Sequence, residues 1–152
     1  MNIETQFKQL RLHGMSRTWQ ALIETRKHHE LSFTGGIELL LQPEDEDRNG
    51  KRFERLQKNA HFGYQASVQE LHIDASRKLD RSLMAALATG EYIPKDEAIL
   101  ISGSTETGKS FLASALGHHA CSQGYKVAYY NLQKLLLKTK MSRIDGTIYK
   151  FF

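Results

Sequence analysis

Residues 103–110 read Gly-Ser-Thr-Glu-Thr-Gly-Lys-Ser: a glycine, four residues of open choice, then Gly-Lys-Ser. Each residue type at that spacing suits a phosphate chain. Gly103 and Gly108 let the backbone turn tightly and bring amide N–H groups up to an anion, and the positive end of a following helix adds to the attraction. Lys109 would reach β- and γ-phosphates, and the Ser110 hydroxyl would ligate Mg2+, which is the chemistry of a P-loop. The candidate nucleotide-binding residues are therefore Gly103, Ser104, Thr105, Glu106, Thr107, Gly108, Lys109, Ser110 and Phe111. Ser110 is the candidate metal ligand, and ATP with Mg2+ the expected cofactors. A Gly-rich turn capping an ordinary helix would share the letters, so the flanking elements decide.

Those elements have the required order. Ala98-Ile-Leu-Ile-Ser102 is an apolar run of strand length, and behind the loop Phe111, Leu112, Ala115, Leu116 and Ala120 recur at helical spacing until Gly124. Lys126-Val-Ala-Tyr-Tyr130 is rich in β-formers, so strand, helix and strand predict a right-handed βαβ unit with a parallel pair. Asn131 can cap a helix carrying Leu132, Leu135 and Leu136, and Asp145 opens one more turn from Ile148 to Phe152. Upstream, Leu79, Leu83, Met84, Ala86 and Leu87 predict an amphipathic helix stopped at Thr89-Gly90. The expected fold class is α/β: a helical N-terminal domain (1–64), a linker with a lead-in helix (65–97), and the first βαβ part of a P-loop ATPase domain (98–152).

The N-terminal region reads as helices. Met15, Trp19, Leu22 and Ile23 share a face with Ser16 as a possible N-cap, and Ser32 offers a cap before Phe33, Ile37, Leu40 and Leu41. Pro43 is expected to stop or sharply kink that helix, with Glu44-Asp-Glu-Asp47 starting a new one. From Arg48 to Phe62, Phe53, Leu56 and Ala60 cluster on one side while Arg48, Lys51, Arg52, Arg55 and Lys58 gather on the other. Such a stripe is either a solvated face, with Asp47–Lys51 and Glu54–Lys58 as supporting pairs, or a surface that tracks the phosphates of DNA or RNA.

Composition narrows the class. A chain of 152 residues with 40% hydrophobic and 25% charged content is that of a globular protein. It contains neither an 18-residue apolar run nor a signal-peptide pattern at Met1-Asn-Ile-Glu-Thr5, so a cytoplasmic location and no membrane partner are expected. Lys and Arg number 21 against 17 Asp and Glu, a net +4, which permits a nucleic-acid partner without demanding one. The single cysteine, Cys121, excludes an internal disulfide. It lies three residues after His118, but a metal site would need further ligands at suitable spacing.

Taken together, Leu10-Arg-Leu-His-Gly-Met15, Leu31-Ser-Phe33, Lys51-Arg-Phe-Glu-Arg55, the Gly103–Ser110 loop, Leu112-Ala-Ser-Ala-Leu-Gly-His-His-Ala-Cys121 and Gly124-Tyr125 resemble the IstB-like ATP-binding proteins. These are transposition helper ATPases of bacterial insertion sequences, related to DnaC-type helicase loaders and to AAA+ initiators. The resemblance implies a AAA+ ATPase behind a helical domain, self-assembly on double-stranded DNA when ATP is bound, and a partner transposase. It carries Gly103, Gly108, Lys109 and Ser110 over as nucleotide-binding residues and gives the basic helix a DNA-binding role. A helicase loader on the same ATPase, or a non-catalytic DNA-binding module with a defunct P-loop, are the alternatives.

Two departures from the family pattern shape the expectation. AAA+ hydrolysis needs an apolar strand ending in paired acids, the Walker B element, and an arginine from a neighbouring subunit. Neither follows Gly146, so this chain resembles the front of a longer helper and is expected to hydrolyse ATP poorly or not at all. The other departure is Glu106, where the family usually has glycine. A side chain costs about 1–2 kcal/mol if the backbone there is left-handed, and a carboxylate ~4 Å from a phosphate charge costs about 4 kcal/mol at an effective dielectric near 20. Glu106→Gly is therefore expected to bind a fluorescent ATP analogue several-fold more tightly than the parent. Equal affinities in that titration would show the acid to be harmless.

Overall fold

Short polar residues placed one step ahead of apolar helical patterns start four of the helices. The computed structural model describes residues 2–70, 79–105 and 107–150. Among these, α1 spans Ile3–Gln9, α2 His13–Glu24, α3 Phe33–Ala60, α4 Arg81–Ala88, α5 Lys109–Ser122 and α6 Leu132–Ile144. Asn2, Asp80 and Asn131 cap α1, α4 and α6 with side-chain oxygens, and Ser32 Oγ accepts from Gly35 N–H in the first turn of α3. At the other ends Gly90 and Gly124, with φ of +75° and +88°, follow α4 and α5 as their positions in the sequence lead one to expect. The chain divides into two compact units, Met1–Arg55 and Leu56–Phe152.

In the first unit the sequence is overruled twice, by the same residues. Ser16 is not the cap of α2; it lies inside the helix and is buried, and the N-cap residue Leu12 offers no side-chain bond. Glu44 supplies what Leu12 lacks: its Oε2 accepts from Gly14 N–H at 2.8 Å and Met15 N–H at 3.3 Å, from 30 residues away in sequence. Pro43 does not end a helix either, because α3 runs through it for 28 residues. An interior proline forfeits a backbone bond at a cost of about 3 kcal/mol. Here the turn that follows is pinned on α2, by Glu44 as described and by Asp47, which takes Arg17 at 2.9 Å. Tertiary bonds offset the local defect.

Apolar packing in this unit is thin. Phe7 meets Trp19 edge-on with ring centroids 6.2 Å apart, but Phe33 and Leu41, expected in a helical core, are 85% and 53% exposed. Gly14 brings α2 against Pro43. A Cβ on it would lie 2.3 Å from the Pro43 carbonyl oxygen and 2.6 Å from Glu44 Cα, so only glycine fits.

In the second unit Met84 of α4 packs with Leu112 and Leu116 of α5, and Leu87 and Ile101 lean on that cluster. Leu56 and Ala60, at the end of α3, are buried as the amphipathic pattern implies. The expected βαβ unit is not what the described residues show. Segments 98–102 and 126–130 carry no strand, since a strand exists only through a paired neighbour and these two do not pair. Tyr129 N–H instead donates to the Ala60 carbonyl at 2.9 Å, and Leu100 is 92% exposed. Asp145 closes α6 rather than opening a helix, and Ile148–Lys150 is a single 3-10 turn. Phe151 and Phe152 lie outside the described residues.

Burial alone would push the Glu44 carboxyl up, but hydrogen bonds from Arg48, Met15 and Gly14 and the Arg48 charge outweigh it and hold it below the ordinary 4.5. A carboxylate lowered on folding stabilises fully above its ordinary value and loses that contribution as pH falls through the lowered one. Glu44→Gln should therefore flatten the fall in unfolding free energy below about pH 4.5. Gly14→Ala should cost about 1–3 kcal/mol through overpacking. Urea titrations across pH check both; a wild-type acid limb in Glu44→Gln, or an unshifted Gly14→Ala midpoint, would deny the contact.

Candidate nucleotide-binding site

The loop from Gly103 to Gly108 is held at both ends. Ile101, two residues before it, rests on the Met84–Leu112–Leu116 cluster, and α5 behind it buries Leu112, Ser114, Ala115, Leu116, Ala120 and Cys121. At the far end of α5, Gln123 Nε2 donates to the Thr89 carbonyl at 2.8 Å, tying that helix to the end of α4. A further brace lies on the opposite flank. His118 sets one ring nitrogen 2.8 Å from Gln57 Nε2 and the other 3.1 Å from the Tyr64 carbonyl, and its ring faces Phe62 at 4.1 Å between centroids.

Within the loop, Thr107 Oγ1 donates to the Ser104 carbonyl at 2.8 Å. Lys109 folds back across the loop, its Nζ donating to the Gly103 carbonyl at 2.8 Å and also to that of Ser104. An ammonium has three donors, so one remains to meet an anion while two hold the loop. Gly108 is the N-cap of α5 with φ +83°, a left-handed conformation, and has no side chain to offer the helix. The ladder begins with Leu112 N–H donating to Gly108 O at 3.0 Å, so the amides of the first turn stand ahead of it. Ser104, Thr105, Thr107, Gly108 and Ser110 are exposed, and Lys109 and Phe111 half-buried. Glu106 lies outside the described residues. An open, glycine-led helix start with a lysine bridged over it suits a phosphate group, and Ser110, exposed in the first turn, suits a divalent cation.

Comparison with known proteins decides the family. The profile of the IstB-like ATP binding proteins matches residues 5–151. The chain belongs to that family. It is 39% identical to the ATP-binding protein of insertion sequence IS1162 from Pseudomonas fluorescens over 94% of this chain and 62% of that protein. An insertion-sequence ATP-binding protein of Sinorhizobium fredii is 34% identical over 93% of this chain and 57% of its own length. The IS21 ATP-binding protein of Pseudomonas aeruginosa is 24% identical over 88% and 51%. This IstB-like chain thus spans between half and two-thirds of the length of those relatives.

The other residues singled out from the sequence of this IstB-like protein fare differently. Arg48, Lys51, Arg52, Arg55 and Lys58 are all exposed on α3. Among them, Arg48 Nε meets Glu44 at 2.8 Å and Lys51 meets Asp47. Hydrogen bonds from Lys51 and Arg17 in turn hold the Asp47 carboxyl below its ordinary value. His118 and Cys121 do not converge on an ion, because both His118 nitrogens are used as above. Burial pushes the Cys121 thiol up. Sequence reasoning missed the Gln57–His118–Tyr64 brace, for which a histidine on the helix behind the loop was the only signal.

Gly108→Ala is expected to lose about 1–2 kcal/mol from the left-handed backbone that alanine resists, read as a lower urea midpoint. An unchanged midpoint would mean that the loop relaxes at no cost.

Proposed function

We propose that this chain is the ATP-binding part of an insertion-sequence helper of the AAA+ class, acting in DNA transposition with double-stranded DNA and a transposase. The observation that carries the proposal is Lys109: its ammonium spans the Gly103 and Ser104 carbonyls directly beside the glycine-capped start of α5. That places a positive charge, a set of first-turn amides and the Ser110 hydroxyl on one short segment. The relatives named ATP-binding proteins of insertion sequences support the same reading.

In this reading the amides of 104–110 orient the phosphate chain of ATP, and Lys109 balances its β- and γ-charges. Ser110 holds Mg2+, which when bound neutralises further phosphate charge. The exposed cations Arg48, Lys51, Arg52, Arg55 and Lys58 of α3 serve DNA, with Glu44 and Asp47 also engaging Arg48 and Lys51. Self-assembly on DNA and hydrolysis belong to the whole protein, and a cytoplasmic location goes with that role. Among the described residues no helix is long and apolar enough to cross a membrane.

Lys109→Ala should weaken binding of a fluorescent ATP analogue at least tenfold while leaving the thermal midpoint within a few degrees. Binding of wild-type strength in that variant would overturn the assignment. With a DNA duplex present, the analogue should raise duplex affinity for the wild type and not for Lys109→Ala.

A further inference from the structure

The chain's net charge is not spread along it. Residues 131–152 hold Lys134, Lys138, Lys140, Arg143 and Lys150 against Asp145 alone, so 5 − 1 gives +4; the other 130 residues balance at 16 cations and 16 acids. The α3 segment from Glu44 to Lys58 is itself neutral, with five of each. Long-range attraction for a polyanion therefore originates in and beyond α6.

The fold gathers part of that charge. α6 ends with Asp145 as C-cap and Gly146 at φ +68°, and Thr147 N–H reaches back to the Ser142 carbonyl at 2.9 Å while Gly146 N–H reaches Arg143 at 3.4 Å. This paired closure reverses the chain at the helix end. Lys150 N–H then bonds the Thr147 carbonyl at 2.9 Å, closing the Ile148–Lys150 turn. The result is a surface cavity of about 240 Å³ lined by Tyr130, Lys138, Ser142, Thr147 and Lys150. Lys138 and Ser142 stand one helical turn apart on α6, and Ser142 is buried while both lysines are exposed. Among the described residues no carboxylate lines it.

We infer that this cavity binds a phosphate group, with Lys138 and Lys150 supplying charge and Ser142, Thr147 and Tyr130 supplying hydroxyl donors. Two ammonium groups and three hydroxyls can all donate to the tetrahedral, acceptor-rich surface of a phosphate. The site is separate in sequence from the Gly103–Ser110 loop. Its phosphate is either one in the backbone of double-stranded DNA, in which case the inference rests on the DNA reading above, or a small free phosphate.

The test uses the chain as it stands, in wild-type form and as Lys138→Gln/Lys150→Gln, Lys138→Arg/Lys150→Arg and Arg52→Ala/Arg55→Ala/Lys58→Ala. Thermal melting and the ATP-analogue affinity confirm that each variant is folded. A 20-base-pair duplex is titrated across salt, and inorganic phosphate is titrated separately while the Gly146 and Thr147 amide signals are followed by NMR. For a backbone phosphate, the double-glutamine variant loses about 1.8 from the slope of log affinity against log salt, 0.9 per contact, and the double-arginine variant keeps it. For a free phosphate, the amide signals shift with inorganic phosphate in the wild type and stay still in the glutamine variant, whatever the duplex does. If duplex binding and amide shifts are both indifferent to the glutamine pair, the site does not exist. A slope that falls only in the α3 triple variant, with silent amide signals, would likewise overturn the site while leaving the DNA reading intact. Wild-type protein that ignores the duplex would sink the DNA reading, and the amide titration would then decide the site alone.

Discussion

Amide N–H groups in the first turn of a helix have no helical partner and must find a negative charge or an oxygen elsewhere. How each helix of this chain meets that demand accounts for much of the way the chain is held together. Asn2, Ser32, Asp80 and Asn131 answer it locally. α2 and α5 begin on residues that cannot, Leu12 and Gly108. For α2 the answer comes from within, as Glu44 arrives from α3 to accept both amides. For α5 the opening residue is a glycine in a loop whose only nearby charge among the described residues is the lysine that begins the helix. One unassisted helix start is closed by a glutamate from another helix, while the other opens on the Gly103–Ser110 loop with no side-chain cap of its own.

The same contrast sorts the cations. Glu44 and Asp47, drawn into the first unit as acceptors, also take Arg48 and Lys51. Arginines and lysines that a linear reading assigns to a DNA-facing stripe are partly spent on neighbours one helical turn away. Exposed pairs of this kind contribute little stability, on the order of 0–1 kcal/mol. They do reduce the local field, and the field is what a polyanion feels at a distance.

What the sequence discloses is what is encoded over a few residues. The caps Ser32 and Asn131, the stops at Gly90 and Gly124, and the buried side of α5 at Leu112, Ala115, Leu116 and Ala120 all follow from spacing and residue type. The start of α5 behind the Gly103–Ser110 loop was legible for the same reason. Contacts that depend on distant segments were not. Nothing near Ser16 reveals that a glutamate 28 positions further on will do its work, and nothing near Pro43 reveals that the turn after it will be anchored well enough for the helix to continue. The segments at 98–102 and 126–130 have β-forming composition, but a strand is a property of a pair, and composition names only one member.

Cys121 sits on the packed side of α5 at 1% exposure, and it is the sole sulfhydryl in the chain. Its reactivity is therefore an intrinsic gauge of whether that helix remains seated. Alkylating reagents reach it only when the helix behind the Gly103–Gly108 loop lifts away, so the rate of labelling measures how often this happens without any added probe.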